Sequence, residues 1–370
     1  MAEPTTGRRL GQDVDAAKVD AAHRIDVRKM GMTATLSFVL VLVGLLVFGL
    51  AMDTQLMPPT PEVAIAKRGV LKREVCSPRT RNTSDIEYHS GHRFYSALKD
   101  MDPPTPPTFG KTHSMLCDED ARFHAGYSYC LPISGRKDTP FCTAADRSDL
   151  LHGHSPKSIC YASVLHLLLV EVYEELQATG NTPLILFGSL LGAVRNGSMI
   201  PFTEDTDIGF VGRINSREVL QEELRLKGYH MFFRGVWRVC VAPTHPLASR
   251  LYDHDMPLTR NFRVPYVDLY QMVNLYNGYW DVEELQSSSG RLLPKDKVVP
   301  FSQATINGMP FDTVHDPKFF LTAAYGPKYM TPMARRSFSP ANVSVATKEM
   351  LKHVDKEKMR TVLQKFTKSP

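Results

Sequence analysis

The feature that most constrains this chain is a charge-free apolar run near its amino terminus. No Asp, Glu, Lys or Arg occurs between Met30 and Met52, and apolar side chains fall on every face of the helix that this run predicts. About twenty helical residues rise roughly 30 Å, the thickness of the hydrocarbon core of a bilayer. A helix on the surface of a soluble protein would carry only one apolar stripe. The run therefore predicts a transmembrane helix over residues 30–52.

The flanks of this run predict its orientation. Arg28 and Lys29 precede it closely, whereas the first charged residues after it, Asp53 and Glu62, are acidic. Because positive charge stays on the cytosolic side, residues 1–29 are predicted as a cytosolic tail and the remainder as lumenal. A cleaved signal peptide is the alternative, but its apolar run is shorter and its preceding region is not so long. We therefore expect a single-pass type II protein held by a signal anchor.

The cysteines and glycosylation sequons agree with a lumenal location. All six cysteines follow the predicted anchor, and an oxidising lumen permits up to three disulfides among them. They are Cys76, Cys117, Cys130, Cys142, Cys160 and Cys240. Sequons begin at Asn82, Asn196 and Asn342, also beyond the anchor. These features predict a disulfide-bonded glycoprotein of the Golgi apparatus, or of the endoplasmic reticulum.

Charge and proline content restrict the remaining possibilities. The 370 residues contain 44 Lys and Arg against 39 Asp and Glu, and a net charge of +5 gives no basic excess that would favour nucleic acid. Prolines at 58–61 and 103–107 hold the backbone extended and predict a stem. Between residues 111 and 155, cysteines and histidines lack the spacing of zinc ligands, which favours disulfides over a metal site.

From residue 158 onward the apolar pattern predicts helices mixed with strands. Apolar residues at steps of three and four from Tyr161 to Leu176 predict an amphipathic helix. Leu184–Phe187 predicts a buried strand that runs into a Gly-Ser pair, and a short helix over 190–195 follows. Further predicted elements are strands at 206–211, 229–233, 237–242 and 264–273 and a helix after Ser216. This order predicts an α+β fold, a mixed sheet with flanking helices.

Three acids on the predicted strands form a candidate metal site. Asp205 and Asp207 point to the same face of one strand, where two carboxylates repel each other unless a cation lies between them. Asp268 is a third acid within an apolar strand-like run. Such hard oxygen ligands suit Mg²⁺ or Mn²⁺, which bridge to the phosphates of a substrate. Gly188 and Ser189 stand between a strand and a helix, where phosphate contacts are typical.

One longer stretch carries a resemblance to a known family. Residues 186–209 read LFGSLLGAVRNGSMIPFTEDTDIG, with a G-S-L-L-G-x-x-R block followed by an aromatic residue and D-x-D. The strand around Asp268 and the segments MPF at 309–311 and FFLTAAYG at 319–326 add later blocks. Together they resemble the LicD family, which includes fukutin and fukutin-related protein, over about 156–335.

This resemblance implies a fold and an activity. Members are similar to the nucleotidyltransferase fold and move a phospho-alcohol, phosphocholine or ribitol phosphate, from a CDP-activated donor to a glycan. The resemblance implies that Asp205 and Asp207 are catalytic metal ligands. Asp268 would complete the metal site or orient the acceptor hydroxyl. It also implies that Gly188, Ser189 and Arg195 contact the donor phosphates.

One departure from the family pattern keeps two other functions open. The family has Trp-Asp where this chain has Phe202 and Thr203, so one acid beside the pair is absent. The first alternative is a sugar-nucleotide glycosyltransferase that uses Asp-x-Asp with Mn²⁺, and the second is a non-catalytic glycan-binding protein of the same fold. The group Asp253, His254 and Asp255 offers another set of metal ligands, which we interpret as a solvated loop.

The sequence thus predicts a chain of successive segments. They are a cytosolic tail at 1–29, a signal anchor at 30–52, a Pro-rich stem at 53–110, a Cys- and His-containing extension at 111–155, a LicD-like catalytic domain at 156–345 and a carboxy-terminal helix at 346–370. The expected partners are a CDP-alcohol donor, a glycan or glycoprotein acceptor and the membrane around residues 30–52, with no nucleic acid.

Overall fold

The computed structural model describes residues 75–153, 155–285 and 292–332. The predicted tail, the anchor at 30–52, the beginning of the stem and the carboxy-terminal helix lie outside the described residues, as does the sequon at Asn342. Within the described ranges, no helix has both the length and the apolar character needed to cross a membrane. The anchor therefore stays a prediction from the sequence.

The described residues form short amino-terminal strands and then the strands of a larger sheet. The strands are β1 (Val75–Cys76), β2 (Phe109–Gly110), β3 (Pro183–Ile185), β4 (Asp205–Val211), β5 (Tyr229–Arg234), β6 (Val236–Val241), β7 (Tyr266–Asn274), β8 (Tyr279–Val282), β9 (Leu293–Pro294), β10 (Ser302–Ile306) and β11 (Met309–Thr313).

Helices alternate with these strands along the chain. The α-helices are α1 (Arg93–Lys99), α2 (Arg122–Ala125), α3 (Tyr161–Ala178), α4 (Phe187–Asn196), α5 (Arg217–Leu226), α6 (Ala248–Leu251), α7 (Lys295–Val298) and α8 (Pro317–Tyr325). Short 3₁₀ segments lie at Thr83–Asp85, Lys111–Cys117, Glu119–Ala121, Gly126–Tyr129 and Arg147–Leu151.

A curled mixed sheet is the central layer. Its strands follow the order β3-β4-β7-β6-β5, and β8 and β9 extend it from the far half of β7. β4 and β7 run parallel, whereas the other neighbouring pairs in this sheet are antiparallel. The hairpin β10–β11 stands apart as a second sheet. The predicted mixed sheet with flanking helices is therefore confirmed.

Helix α3 packs across this sheet and differs in one respect from its prediction. The sequence predicts one apolar face, but the side chains of α3 are buried around nearly its whole circumference. Glu171 and Glu175 are buried together with the surrounding leucines. Buried polar side chains need hydrogen-bond partners inside the protein. A segment from earlier in the chain supplies several partners to the polar side chains of α3.

That segment belongs to the predicted stem, and the structure corrects where the stem ends. Its side chains buried in the main core are Phe94, Tyr95, Leu98 and Phe109. The Tyr95 hydroxyl also donates to Glu174 Oε2 at 2.7 Å. An extended stem over 53–110 is therefore wrong for residues 75–110. The prolines at 103–107 interrupt helices, but they do not prevent the aromatic side chains before them from packing against α3.

The cysteines are joined in three disulfides. These are Cys76–Cys117, Cys130–Cys240 and Cys142–Cys160. The cysteines of the 111–155 segment are all disulfide-bonded, as the sequence predicts, and no free cysteine is left in the described residues. The bonds connect this segment to the amino-terminal strand, to β6 and to the beginning of α3. The segment is thus fastened to the domain that carries the three acids.

The turn between β3 and α4 is sharper than the sequence predicts. β3 ends at Ile185, and α4 already begins at Phe187, whose φ of 38° lies in the left-handed region. The expected strand over 184–187 is therefore too long, and the helix expected at 190–195 starts earlier. As a result, Gly188 and Ser189 lie in the first turn of α4, directly beside β4.

Candidate functional site

Two parallel strands place the three predicted acids together. In the register of β4 and β7, Asp207 lies beside Asp268, and Asp205 lies beside Tyr266. Because alternate residues of a strand point to the same side, all three acids project from one face of the sheet. One carboxylate oxygen from each lies within 4.8 Å of the others. The structure thus brings Asp205, Asp207 and Asp268 into a single cluster, here called the acid triad.

Two of the three acids are shielded from solvent, and Asp205 is half-buried. The exposed fractions of Asp207 and Asp268 are 6% and 4%. Burial, together with the charges of Asp205 and Asp268, raises the pKa of Asp207 well above its ordinary value. Burial also raises the pKa of Asp268 to about 6, although the neighbouring Arg238 opposes the rise. Asp207 and Asp268 are therefore held where their ionised forms are electrostatically unfavourable unless positive charge is added.

A divalent cation fits this arrangement. Among the described residues, Arg238 provides the ion pair to the acid triad, with Nε 2.6 Å from Asp268 Oδ1. One guanidinium offsets only one of three clustered carboxylates, and the uncompensated charge of the others is what a Mg²⁺ or Mn²⁺ ion would neutralise. Carboxylate oxygens are also the ligands that these ions prefer. Asp205, Asp207 and Asp268 are therefore the residues that would hold such an ion.

Arg238 is a site residue that the sequence analysis missed. It lies on β6 opposite Asp268, in the middle of an otherwise apolar strand. Arginine in the centre of such a strand is a signal for a buried acidic partner, because an unpaired charge there would be costly. The strand prediction at 237–242 included this residue without assigning it a role. Only the register of β6 against β7 shows which acid it meets.

Two tyrosines orient the carboxylates further. The Tyr266 hydroxyl donates to Asp205 Oδ2 at 3.3 Å, and the Tyr270 hydroxyl donates to Asp268 Oδ2 at 3.2 Å. Both tyrosines lie on β7 and share the face of Asp268, because they stand two residues before and after it. The sequence contains the alternation Tyr-x-Asp-x-Tyr, but only the strand register shows which carboxylates the two hydroxyls contact.

Thr203 occupies the position where the family pattern has an acid. Its hydroxyl donates to Asp205 Oδ1 at 2.8 Å. The next residue, Glu204, points to Lys137, whose Nζ is 2.6 Å from Glu204 Oε2. A neutral donor at position 203 fixes the orientation of Asp205 without adding negative charge to the acid triad. Thr203 therefore has a defined structural role, although it stands where the family pattern has an acid.

Gly188 and Ser189 hold Asp207 in place through hydrogen bonds. The Gly188 N–H donates to Asp207 Oδ2 at 2.8 Å, and a Cβ at this position would itself lie 2.8 Å from that oxygen. The Asp207 N–H donates to Ser189 Oγ at 2.7 Å, and Ser189 Oγ is 2.6 Å from Thr206 Oγ1. Ser189 is only 2% exposed. A phosphate contact through its hydroxyl, as the sequence predicted, does not fit this enclosed position.

Arg195 lies at the carboxyl end of α4 and contacts the end of the described chain. Its Nε and Nη2 both donate to the Tyr329 carbonyl, the former at 2.9 Å. Burial raises the pKa of Tyr325, the charges of Asp207 and Asp205 raise it further, and Arg195 lowers it. Arg195 and two acids of the triad therefore lie near the same tyrosine. A phosphate contact by Arg195 stays a prediction.

The second acidic group predicted from the sequence is placed elsewhere. Ligand atoms of Asp253, His254 and Asp255 also lie within 4.8 Å of one another. Asp255 and His254 are exposed, and Asp255 Oδ2 lies 2.6 Å from Lys157 Nζ. Asp253 is buried, and its Oδ1 accepts the Asp255 N–H at 3.0 Å, which closes a turn. This group has the geometry of a capped loop, in line with its interpretation from the sequence.

Comparison with known proteins places the acid triad within a family. No curated protein matches the chain. Residues 181–313 match the family described as LicD/FKTN/FKRP, nucleotidyltransferase domain. The matched segment begins just before β3 and ends with β11, so it contains the acid triad, Gly188, Ser189 and Arg195. It also contains Arg238 and the two tyrosines of β7. The chain therefore carries a nucleotidyltransferase domain of the LicD family.

Proposed function

We propose that this chain is a metal-dependent phosphotransferase. It moves a phospho-alcohol, of the phosphocholine or ribitol phosphate kind, from a CDP-activated donor to a lumenal glycan or glycoprotein. The observation that carries the proposal is the acid triad, with Asp207 and Asp268 buried, within a LicD domain. We assign the protein to the Golgi or endoplasmic reticulum membrane because of the apolar run at 30–52 and the cysteines that follow it.

The proposed chemistry depends on charge. Transfer of a phosphoryl group requires little covalent help from a protein, and its catalysis is mainly positioning and neutralisation of negative charge. A divalent ion, when bound by the acid triad, would supply that neutralisation at the donor phosphates. The residues of this chain hold the carboxylates in place: Thr203 and Tyr266 on Asp205, Gly188 on Asp207, and Arg238 and Tyr270 on Asp268.

Preorganisation of the carboxylates is the protein's own contribution. Both oxygens of Asp205 and both of Asp268 accept a hydrogen bond from a side chain. Side chains fixed in this way lose little entropy when a ligand binds. Burial also excludes bulk water, so that charges at the site act through a lower effective dielectric constant. These features support an enzyme over a solvated acidic loop.

A nucleotide-release assay tests the proposal. The full chain, purified in detergent, is incubated with Mn²⁺ or Mg²⁺ and with CDP-choline, CDP-ribitol, UDP-sugars or GDP-sugars, in the presence and absence of glycan acceptors. We expect CMP release that disappears in Asp207→Asn and persists in Asp255→Asn, a matched change in the exposed acidic group. UDP or GDP release would favour the glycosyltransferase instead. No release and no metal-dependent nucleotide binding would leave a glycan-binding protein.

A further inference from the structure

A large cleft wraps around β5, the edge strand of the central sheet. It has a volume of about 990 Å³, which lies at the upper end of the range for small-molecule sites. Residues from α2, the segment after it, α5, β5 and β6 line it. We call it the edge cleft, and the residues that matter here are Phe123, Tyr127, Phe233, Arg234, Trp237 and Arg260.

Aromatic rings are exposed in the edge cleft to an unusual degree. Phe123 and Phe233 are 67% and 60% exposed, and the Phe233 ring lies 5.2 Å from that of Trp237. Large apolar side chains that remain in water at a concave surface commonly mark a binding site. The electron-rich face of an aromatic ring attracts partially positive C–H groups, which a sugar ring presents on its own face. The edge cleft thus offers stacking surfaces for sugars.

The charged side chains of the edge cleft that lack an ion-pair partner among the described residues are positive. Of its acidic residues, Glu222 pairs with Arg225 and Glu218 with Arg217. Within the described part of the chain, no carboxylate lies at ion-pair distance from the guanidinium of Arg234 or Arg260, and both residues are exposed. A guanidinium binds phosphate, sulfate or carboxylate groups through paired hydrogen bonds. The unpaired arginines therefore favour an anionic ligand.

The edge cleft touches both faces of the sheet at its edge. The rings of Phe233 and Trp237 lie on the face away from the acid triad, because Trp237 is opposite Leu269 whereas Arg238 is opposite Asp268. Tyr127 lines the cleft, and its ring lies 5.4 Å from that of Tyr266, whose hydroxyl contacts Asp205. On the other side, Arg238, which pairs with Asp268, donates through Nη1 to the Arg234 carbonyl. Tyr127 and Arg234 therefore connect the lining of the edge cleft to residues that hold two of the three carboxylates.

From these observations we propose that the edge cleft binds an acidic oligosaccharide. Its sugar rings stack on Phe233 and Trp237, and Arg234 and Arg260 bind its anionic groups. This binding does not rest on the proposed function. The occupant is an acidic oligosaccharide because the cleft combines exposed aromatic rings with unpaired arginines.

Binding is measured on the full chain in detergent, without nucleotide, by calorimetry and tryptophan fluorescence. Trp237 lines the cleft, whereas the second tryptophan, Trp280, is buried elsewhere. The probes are a heparin-derived hexasaccharide, neutral maltohexaose and inorganic phosphate. We expect saturable binding of the acidic hexasaccharide, weaker binding of maltohexaose and the weakest binding of phosphate. Equal binding of either control probe would overturn the proposal.

Variants locate the site. The double change Arg234→Ala with Arg260→Ala should weaken hexasaccharide binding by about tenfold or more, the usual consequence of losing hydrogen bonds to charged groups. Phe233→Ala should weaken maltohexaose and hexasaccharide binding alike. Arg213→Ala, an exposed arginine outside the edge cleft, is the matched control and should bind as the wild type does. An equal loss in Arg213→Ala would show non-specific charge attraction and refute the assignment.

A further comparison separates this proposal from the proposed function. Asp207→Asn should keep hexasaccharide binding while nucleotide release is lost. If the wild type binds the hexasaccharide but releases no nucleotide from any donor, the proposed function fails and the edge cleft remains a glycan site. If it releases CMP but shows no saturable hexasaccharide binding, the edge cleft assignment fails and the proposed function stands.

Discussion

The described residues contain two acidic groups that each bring three potential ligand atoms close together. The acid triad and the group Asp253, His254 and Asp255 each gather three ligand atoms within 4.8 Å. The first is assembled from two strands far apart in sequence, whereas the second comes from one turn. In the first, Asp207 and Asp268 are buried and Asp205 is half-buried, whereas the second is exposed except for Asp253. Proximity of carboxylates alone therefore does not distinguish a candidate metal site from a loop.

What distinguishes them is how their charge is compensated. In the exposed group, Asp255 is open to solvent and pairs with Lys157, and the hydrogen bond from Lys157 lowers the pKa of Asp255. In the acid triad, burial and neighbouring carboxylates raise the pKa of Asp207. An acid cluster that the fold keeps away from both water and sufficient positive charge stores electrostatic repulsion, and a bound cation relieves it. The following predictions test this contrast, beginning with the largest effect.

The largest expected effect is on activity. Asp207→Asn should reduce divalent-metal affinity and nucleotide release by more than about 100-fold, because even the partners of metal ligands cost 10- to 100-fold when changed. In the absence of metal the same variant should unfold at a higher temperature than the wild type, since a buried like charge is removed. Asp255→Asn should change neither property. Calorimetric metal titration and thermal unfolding with EDTA measure both, and a lower melting temperature for Asp207→Asn would contradict the contrast.

The next effect is on stability. Arg238→Met leaves Asp268 buried without its cation, so the free energy of unfolding should fall by about 3 kcal/mol or more. Added Mn²⁺ should restore part of this loss if the ion binds at the acid triad. Lys157→Met removes the cation of the exposed group and should cause no measurable change. Urea denaturation with and without Mn²⁺ provides the comparison, and equal losses in the two variants would mean that burial is not the deciding difference.

The pH dependence of the metal-free protein should also differ between the two groups. Because the folded-state pKa of Asp268 is raised to about 6 from an ordinary value of 3.8, its contribution to stability is complete below about pH 4 and is lost as pH rises through 6. Relative to Asp268→Asn, the wild type should therefore lose about 1–3 kcal/mol between pH 4 and 7.

For the exposed group the sign is opposite, since the pKa of Asp255 is lowered. Its contribution is present above the ordinary pKa and is lost as pH falls, and because Asp255 is fully solvated we expect no detectable difference between the wild type and Asp255→Asn. Urea denaturation in EDTA at several pH values tests both statements. A wild type that gains stability over Asp268→Asn as pH rises to 7 would show that Arg238 already compensates the acid triad.

The smallest expected effect concerns orientation of a carboxylate. Thr203→Val removes the hydroxyl that donates to Asp205 Oδ1 and should weaken Mn²⁺ binding by about tenfold, in the range of other outer-shell changes. Thr203→Ser keeps the donor and should bind Mn²⁺ nearly as the wild type does. Calorimetric titration of both variants measures this difference. Similar losses in Ser and Val variants would show that the methyl group, through packing, matters more than the hydrogen bond.

The sequence determined several features because they depend on neighbouring residues. The alternation of Asp205 and Asp207 on one strand face, the apolar run that forms β7 and the periodicity that forms α3 are local properties, and the structure contains all three elements. The long block from Leu186 to Gly209 gave the LicD resemblance, which the family match over 181–313 confirms. An even number of cysteines predicted disulfides, although their pairing stayed open.

Only the tertiary structure decided which distant groups meet. The register between β4 and β7 brings Asp207 beside Asp268, and the register between β6 and β7 brings Arg238 to the same acid. The fold also buries Ser189 and packs residues 75–110 of the predicted stem onto α3. Local propensity cannot specify these contacts, because strand pairing and burial depend on residues tens of positions apart. The same long-range contacts set the charge balance at the acid triad.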